Sequence, residues 1–214
     1  MISNRLQPLI LPPVEPESEP ADHPSQEQVL WQAFRLGDRK AFAALLDQYY
    51  ALLLRYGLRL CPDRDLVKDC LHDLFVDLWN QRERLDAVRS IRAYLLISFR
   101  RKLLKETRKH RRFESTEAMG DEYAFDVQFA VETGLIQEEM QQENQLKLRH
   151  LLEQLTKRQR EALYLRFYQE LDYDDIARMM SIQYHSAVNL VYESLRLLRK
   201  NWFLTLLLVF FARH

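Results

Sequence analysis

Residues 63–112 read DRDLVKDCLHDLFVDLWNQRERLDAVRSIRAYLLISFRRKLLKETRKHRR. In the first half, Val67, Cys70, Leu71, Leu74, Leu78 and Trp79 recur at helical spacing and predict one buried stripe. The opposite face carries Asp65, Asp69, Asp73 and Asp77, each one helical turn from the next. Like charges at that spacing repel by roughly 0.2–0.5 kcal/mol per pair, so local stability does not explain the row. Val76 falls in the middle of the same face, where water is expected. The combination reads as a docking surface for a basic partner.

The second half predicts a helix of opposite charge, opened by Ser90 as N-cap. Leu95, Phe99 and Leu103 form its inner face. Arg101, Lys105, Arg108 and Arg112 fall within about 60° of one another on a helical projection, with Tyr94 upstream on the same side. Between Arg100 and Arg112 stand eight Lys or Arg and one acid, Glu106. A cationic stripe running into an aromatic suits a polyanion with stackable bases. The plainer alternative is a solvated, charged helix end.

Working outward, the 214 residues hold 31 basic and 31 acidic side chains, so nucleic-acid binding has to rest on segregation of charge. Four Gly in all, and a single Pro after residue 24, predict an almost wholly helical body. Cys61 and Cys70 make no C-x-x-C and no disulfide framework, and Cys70 reads as a small core residue. The six His form no H-E-x-x-H or other ligand cluster, and no Gly-rich phosphate loop or nucleophile–base pattern occurs. The expectation is a protein without cofactor, metal or catalytic site, hence not an enzyme.

Residues 1–24, with six of the seven prolines, read as a disordered tail. No secretory signal is visible there, which predicts a cytoplasmic protein. The other end, residues 202–214, is an apolar tail; its run of about ten apolar residues falls short of the ~20 that span a bilayer, so no stable membrane insertion is expected.

Between the tails, helices are predicted from Ser25 or Gln26 to the break at Gly37-Asp38 and from Arg39 to Leu60. Cys61-Pro62-Asp63 then ends one helix and caps the next. With the two helices of the opening stretch these form a four-helix domain over residues 25–112, because none buries its stripe alone. Residues 113–145 read as a flexible acidic linker, with nine acids and no Lys or Arg from Glu114 to Gln145.

Residues 146–201 read as a helix-turn-helix domain. Thr156 and Gln159 make a capping box that opens a helix through about Tyr168. Asp172 caps a short helix, and Ile176, Ala177, Met180, Ile182, Ala187 and Leu190 fit the inner positions of the motif. The second helix, about His185 to Lys200, presents Gln183, Tyr184, His185, Ser186 and Asn189 where such helices meet base edges. Arg196, Arg199 and Lys200 at its far end suit phosphates.

In order and at the expected separation, Gly37-Asp38-x-x-Ala41-Phe42, His72-Asp73-Leu74-Phe75-Val76-Asp77-Leu78-Trp79, Leu155-Thr156-x-x-Gln159-Arg160 and Asp175-Ile176-Ala177 resemble the sigma factors of the extracytoplasmic-function (ECF) group. These are dissociable promoter-recognition subunits of bacterial RNA polymerase. The likeness covers about residues 28–112 and 150–200. The wording Tyr184-His185-Ser186 and Asn189-Leu190-Val191-Tyr192 is similar to members from Bacteroidetes-type bacteria. The resemblance implies an all-α fold with region-2-like and region-4-like domains. It implies that Asp69, His72, Asp73, Phe75, Val76, Asp77 and Trp79 bind the polymerase core. It implies that Tyr94, Arg100, Arg101, Lys105, Arg108, Lys109 and Arg112 engage the minus-ten element, and that the helix-turn-helix reads the minus-thirty-five duplex. An anti-sigma factor is a further partner that it implies. Ser181 stands where relatives carry a turn Gly, so a non-Gly residue at positive φ is expected there.

The rival reading is a helix-turn-helix regulator that binds duplex operator without polymerase. It leaves the aspartate row unexplained.

Overall fold

Ser25 opens the first helix with a reciprocal capping box to Gln28, and the computed structural model describes the chain over residues 25–114, 125 and 152–199. Helix α1 spans Gln26–Arg35, α2 Arg39–Leu60, α3 Arg64–Gln81 and α4 Ile91–Glu114. Asp38 and Asp63 cap α2 and α3 by accepting from the first free backbone N–H groups, as the breaks at Gly37 and Pro62 predict. Ser90 Oγ likewise accepts from Ala93 N at 3.2 Å at the head of α4.

The four helices share one core. α3 packs on both α2 and α4. Val67, Leu71, Leu95, Phe99 and Leu103 are fully buried, as their spacing predicts. The closest approach is at Gly57 of α2, where a Cβ would lie 2.7 Å from Val67 Cγ1 and 2.8 Å from Phe99 Cε1. Trp31 ties α1 to the segment between α3 and α4 by donating from Nε1 to the Asp86 carbonyl at 2.9 Å.

Beyond α4 come α5 (Lys157–Leu163), widened into a π turn over Tyr164–Tyr168, then α6 (Tyr173–Met180) and α7 (Tyr184–Arg199). Thr156 and Gln159 form the expected capping box, and Asp172 caps α6 by accepting from Asp175 N at 2.7 Å. Ser181 ends α6 at φ 55°, ψ 50°, the left-handed conformation expected of a turn that lacks its glycine. Ile176, Ala177, Met180 and Ala187 are buried in the angle of the motif.

The surprise is the seam. A flexible acidic linker predicts two modules with no fixed contact, yet α4 lies directly against α6. Phe125, from between the modules, is fully buried and packs on Tyr56 of α2 and Tyr164 of the π turn, at 6.3 and 5.7 Å between ring centroids. The apolar tail and the expected disordered terminus lie outside the described residues; of the linker expected over 113–145, the first two residues continue α4, Phe125 is described, and the rest lies outside them. No helix among the described residues is long and apolar enough to cross a membrane.

Candidate nucleic-acid interface

On α3, Asp69, His72, Asp73 and Asp77 are exposed, and Val76 among them is 43% exposed. The acidic face therefore keeps an apolar centre open to water. Part of its charge is answered within the chain: Lys102 of α4 reaches across to Asp77 Oδ2 at 2.6 Å and Asp73 Oδ2 at 3.7 Å. Burial pulls the Lys102 ammonium down, but the hydrogen bond and charge of Asp77, then Asp73, outweigh it and leave its pKa raised. Both carboxylates still face solvent over more than half their surface.

Phe75 differs from the expectation. It is only 4% exposed and stands edge-on to Phe42, because it continues the Leu71, Leu74, Leu78 stripe at i+4. The motif likeness had placed it outward, and the stripe read from the spacing had left it out. Trp79 is half-buried against Phe42 at 5.0 Å, and the Arg82 guanidinium lies over its ring at 4.6 Å, so the ring is not free.

On α4, Arg101, Lys105, Arg108 and Lys109 are exposed on one side. Arg101 and Lys105 form a crest between two grooves. One runs toward α3 past Tyr94 and Asp77; the other runs under α6 past Arg178 and Ser181. Lys109 holds Glu106 at 2.7 Å, and that hydrogen bond lowers the Glu106 pKa. Tyr94 is half-buried and edge-on to Trp31 at 5.4 Å. Arg112 and Arg199 lie in the last turns of their helices; their side chains, and all of Lys200, are outside the described residues.

Arg100 departs most from the expected stripe. It is 8% exposed and turned away from the crest. Its Nε donates to Glu161 Oε1 at 2.8 Å, Nη2 to Glu161 Oε2 at 3.1 Å, and Nη1 to the Met179 carbonyl at 3.2 Å. In this conformation it is a seam residue and not a DNA contact. Glu161 was not anticipated at all; its one local signal is an acid set beside Ala162 and Leu163 on the inner face of α5.

The second helix of the motif behaves as expected. Gln183, Tyr184, His185, Ser186 and Asn189 are all exposed around the N-terminal end of α7, while Ala187, Val191 and Leu198 anchor its other side. Tyr184 is edge-on to Tyr173 and His185, which fixes its ring beside the helix start. Arg196 is exposed and bridges Glu193 at 2.6 Å. Among the described residues there is no cluster of side chains able to hold a metal ion.

Two family models match the chain. Residues 45–113 match Sigma-70 region 2, and residues 145–197 match Sigma-70, region 4; together they span more than half of its length. No curated protein sequence matches it. Among solved structures, CnrH in complex with the cytosolic domain of CnrY shares 16% identity, covering 82% of this chain and 96% of that one, at a TM-score of 0.50. The sigma factor RpoE in complex with the anti-sigma factor NepR from Bartonella quintana shares 19% identity, covering 75% and 96%, at a TM-score of 0.54. With an acidic helix, a basic crest and a helix-turn-helix held in that order, the chain belongs to the sigma-70 family as an ECF-type sigma factor with region 2 and region 4 domains, which binds RNA polymerase core and directs it to promoters.

Proposed function

We propose that the exposed face of α3 — Asp69, His72, Asp73, Val76 and Asp77, with Trp79 — is where the polymerase core docks. The α4 crest of Arg101, Lys105 and Arg108, flanked by Tyr94, Lys109 and Arg112, engages the minus-ten element. Bases there have to leave the stack to be read, at a few kcal/mol each, and a cationic surface beside an aromatic offsets that cost. Gln183, Tyr184, His185, Ser186 and Asn189 read the minus-thirty-five duplex, with Arg196, Arg199 and Lys200 on phosphates. The observation that carries this assignment is the separation of three exposed surfaces, each of one chemical character, on three helices.

Residues 25–112 and 146–201 are the two working domains, joined by the acidic segment 113–145, and the protein acts in the cytoplasm. We place it with the Bacteroidetes-type members on the wording of residues 184–186 and 189–192; a tree of homologues that set it elsewhere would remove that placement. Two similar structures were solved with partners, one of them an anti-sigma factor, which supports an anti-sigma factor as a partner here.

Run-off transcription with purified core, together with gel shifts with and without core, tests the assignment. Promoter-specific transcripts that depend on the chain are expected, with weak duplex binding by the chain alone. Tight, specific duplex binding without core and no transcript would favour the operator-binding regulator.

A further inference from the structure

The closed arrangement of the two domains conflicts with the task the chain performs. A minus-ten and a minus-thirty-five element lie about 25 base pairs apart, roughly 85 Å at 3.4 Å per step. Here α4 touches α6, with Arg100 Nη1 3.2 Å from the Met179 carbonyl. Helix α7 starts one short turn beyond α6 and is only about 24 Å long. The crest and the recognition helix therefore cannot reach both elements until the seam opens.

What the seam is made of bears on how it opens. Between the two domain cores, Tyr56 stacks on Tyr164 at 6.1 Å with Phe125 beside them, and next to this aromatic contact lies an equally buried charge. The Glu161 carboxylate is completely buried. It accepts from Tyr56 Oη at 2.7 Å and from both Nε and Nη2 of Arg100. Arg92 adds a bond to the Gln169 carbonyl at 3.3 Å, and Arg89 pairs with Asp172 at the rim. A buried ion pair recovers its desolvation cost only when geometry and extra hydrogen bonds are good, as they are here. When the domains part, water takes over both partners, so the seam has two well-defined states and few satisfactory ones between.

We propose that Glu161, seated between Tyr56 and Arg100, is an intramolecular latch that holds the free sigma factor closed, and that polymerase binding releases it. Closure withdraws Arg100 from the DNA-facing helix and sets α6 against one flank of the crest. A core that binds only the open form has its apparent affinity reduced by the fraction of chains that are open. The last two points rest on the surface assignment made above; the latch itself rests on the seam.

The test uses the full chain with donor and acceptor dyes at Arg39→Cys and Tyr192→Cys, both exposed positions, one in each domain. Energy transfer is read in the absence of polymerase and DNA, so an error in the surface assignment leaves that reading untouched. Wild type is expected to show high transfer. Glu161→Gln removes the carboxylate charge to which two Arg100 nitrogens donate, and should shift most molecules to low transfer and tighten core binding about tenfold. Tyr56→Phe, which removes one hydrogen bond and keeps the fold, should shift transfer and core affinity the same way by a smaller factor. Adding Arg100→Gln to Glu161→Gln removes the opposing charge as well and should restore closure. Unchanged transfer in both Glu161→Gln and Tyr56→Phe overturns the latch; opening without any gain in core affinity overturns its role in holding the factor off polymerase.

Discussion

Lys102 Nζ lies 2.6 Å from Asp77 Oδ2, so the basic helix α4 neutralises one end of the aspartate row on α3. The two helices are thus charge-complementary neighbours along one edge, with Arg101 and Lys105 of the crest lining the groove that also holds Asp77. Internal neutralisation is partial: it uses Lys102 and leaves Asp69, Val76 and the outer surfaces of Asp73 and Asp77 for a partner.

Asp73→Lys with Asp77→Lys should therefore abolish association with core polymerase. Lys102 then faces two like charges, but exposed pairs are worth roughly 0–1 kcal/mol, so the melting temperature should fall by only a few degrees. Pull-down with core and a thermal melt on the same sample check both halves. Undiminished pull-down would remove α3 as the docking surface.

Replacing Arg101, Lys105 and Arg108 with Ala should slow open-complex formation and flatten its salt dependence. Three lost phosphate contacts to a single strand lower the log–log salt slope by about 2. Permanganate footprinting of the melted strand across a salt series gives both quantities. A normal slope would leave these side chains as solvated charge.

The helices were legible because their information is local. Apolar spacing marks the α3 and α4 stripes, Thr156 announces its capping box, and a turn without its glycine at Ser181 signals the left-handed φ found there. Phe75 was misplaced: it stands four residues from Leu71, yet the family pattern put it outward, and the packing buried it. The seam was not legible. Arg100 and Glu161 are 61 residues apart, and neither carries a local sign that its partner is another buried charge. Their neighbours, a run of cations and a capping box, each point to surface.

Gly57→Ala sets two effects against each other. Ala is favoured over Gly inside a helix by about 1 kcal/mol. Against that, the new methyl would sit 2.7 Å from Val67 Cγ1 and within 2.9 Å of two atoms of the Phe99 ring, in a place where α2, α3 and α4 meet. Overpacking of this kind costs about 1–3 kcal/mol, and neither neighbour is the loose end of a flexible chain. The overlap should win, lowering the urea midpoint with the slope unchanged.

Ser181→Gly should move stability the other way. Ser181 holds φ 55°, ψ 50°, a conformation that costs an L-residue roughly 1–2 kcal/mol and glycine almost nothing. Glycine gives some of this back through greater freedom in the unfolded chain, which leaves a net gain of about 0.5–1 kcal/mol. Chemical denaturation of the region-4 signal, followed by Trp-free far-UV measurements, reads the shift; a loss of stability would mean that the Ser181 side chain holds the turn in place.

Alkaline pH should weaken the region-2 domain through Cys70. Burial pushes this thiol up to about 11 from an ordinary value of 9.0, with the nearby Glu106 and Asp73 charges adding to the effect. A group whose folded pKa is raised gives stability that is complete below the unfolded value and is lost as pH climbs through the folded one. The loss here falls between about pH 9 and 11. Lys102, also raised, loses its charge and its hold on Asp77 toward the same end of the scale, so the two changes reinforce each other. Cys70→Ala keeps the Lys102 part and removes the thiol part, so its stability profile should decline less steeply above pH 9 than that of wild type. Equal slopes would show that the thiol is not held protonated in the core, and the same buried, neutral state predicts that iodoacetamide at pH 7.5 leaves Cys70 unmodified until the domain unfolds.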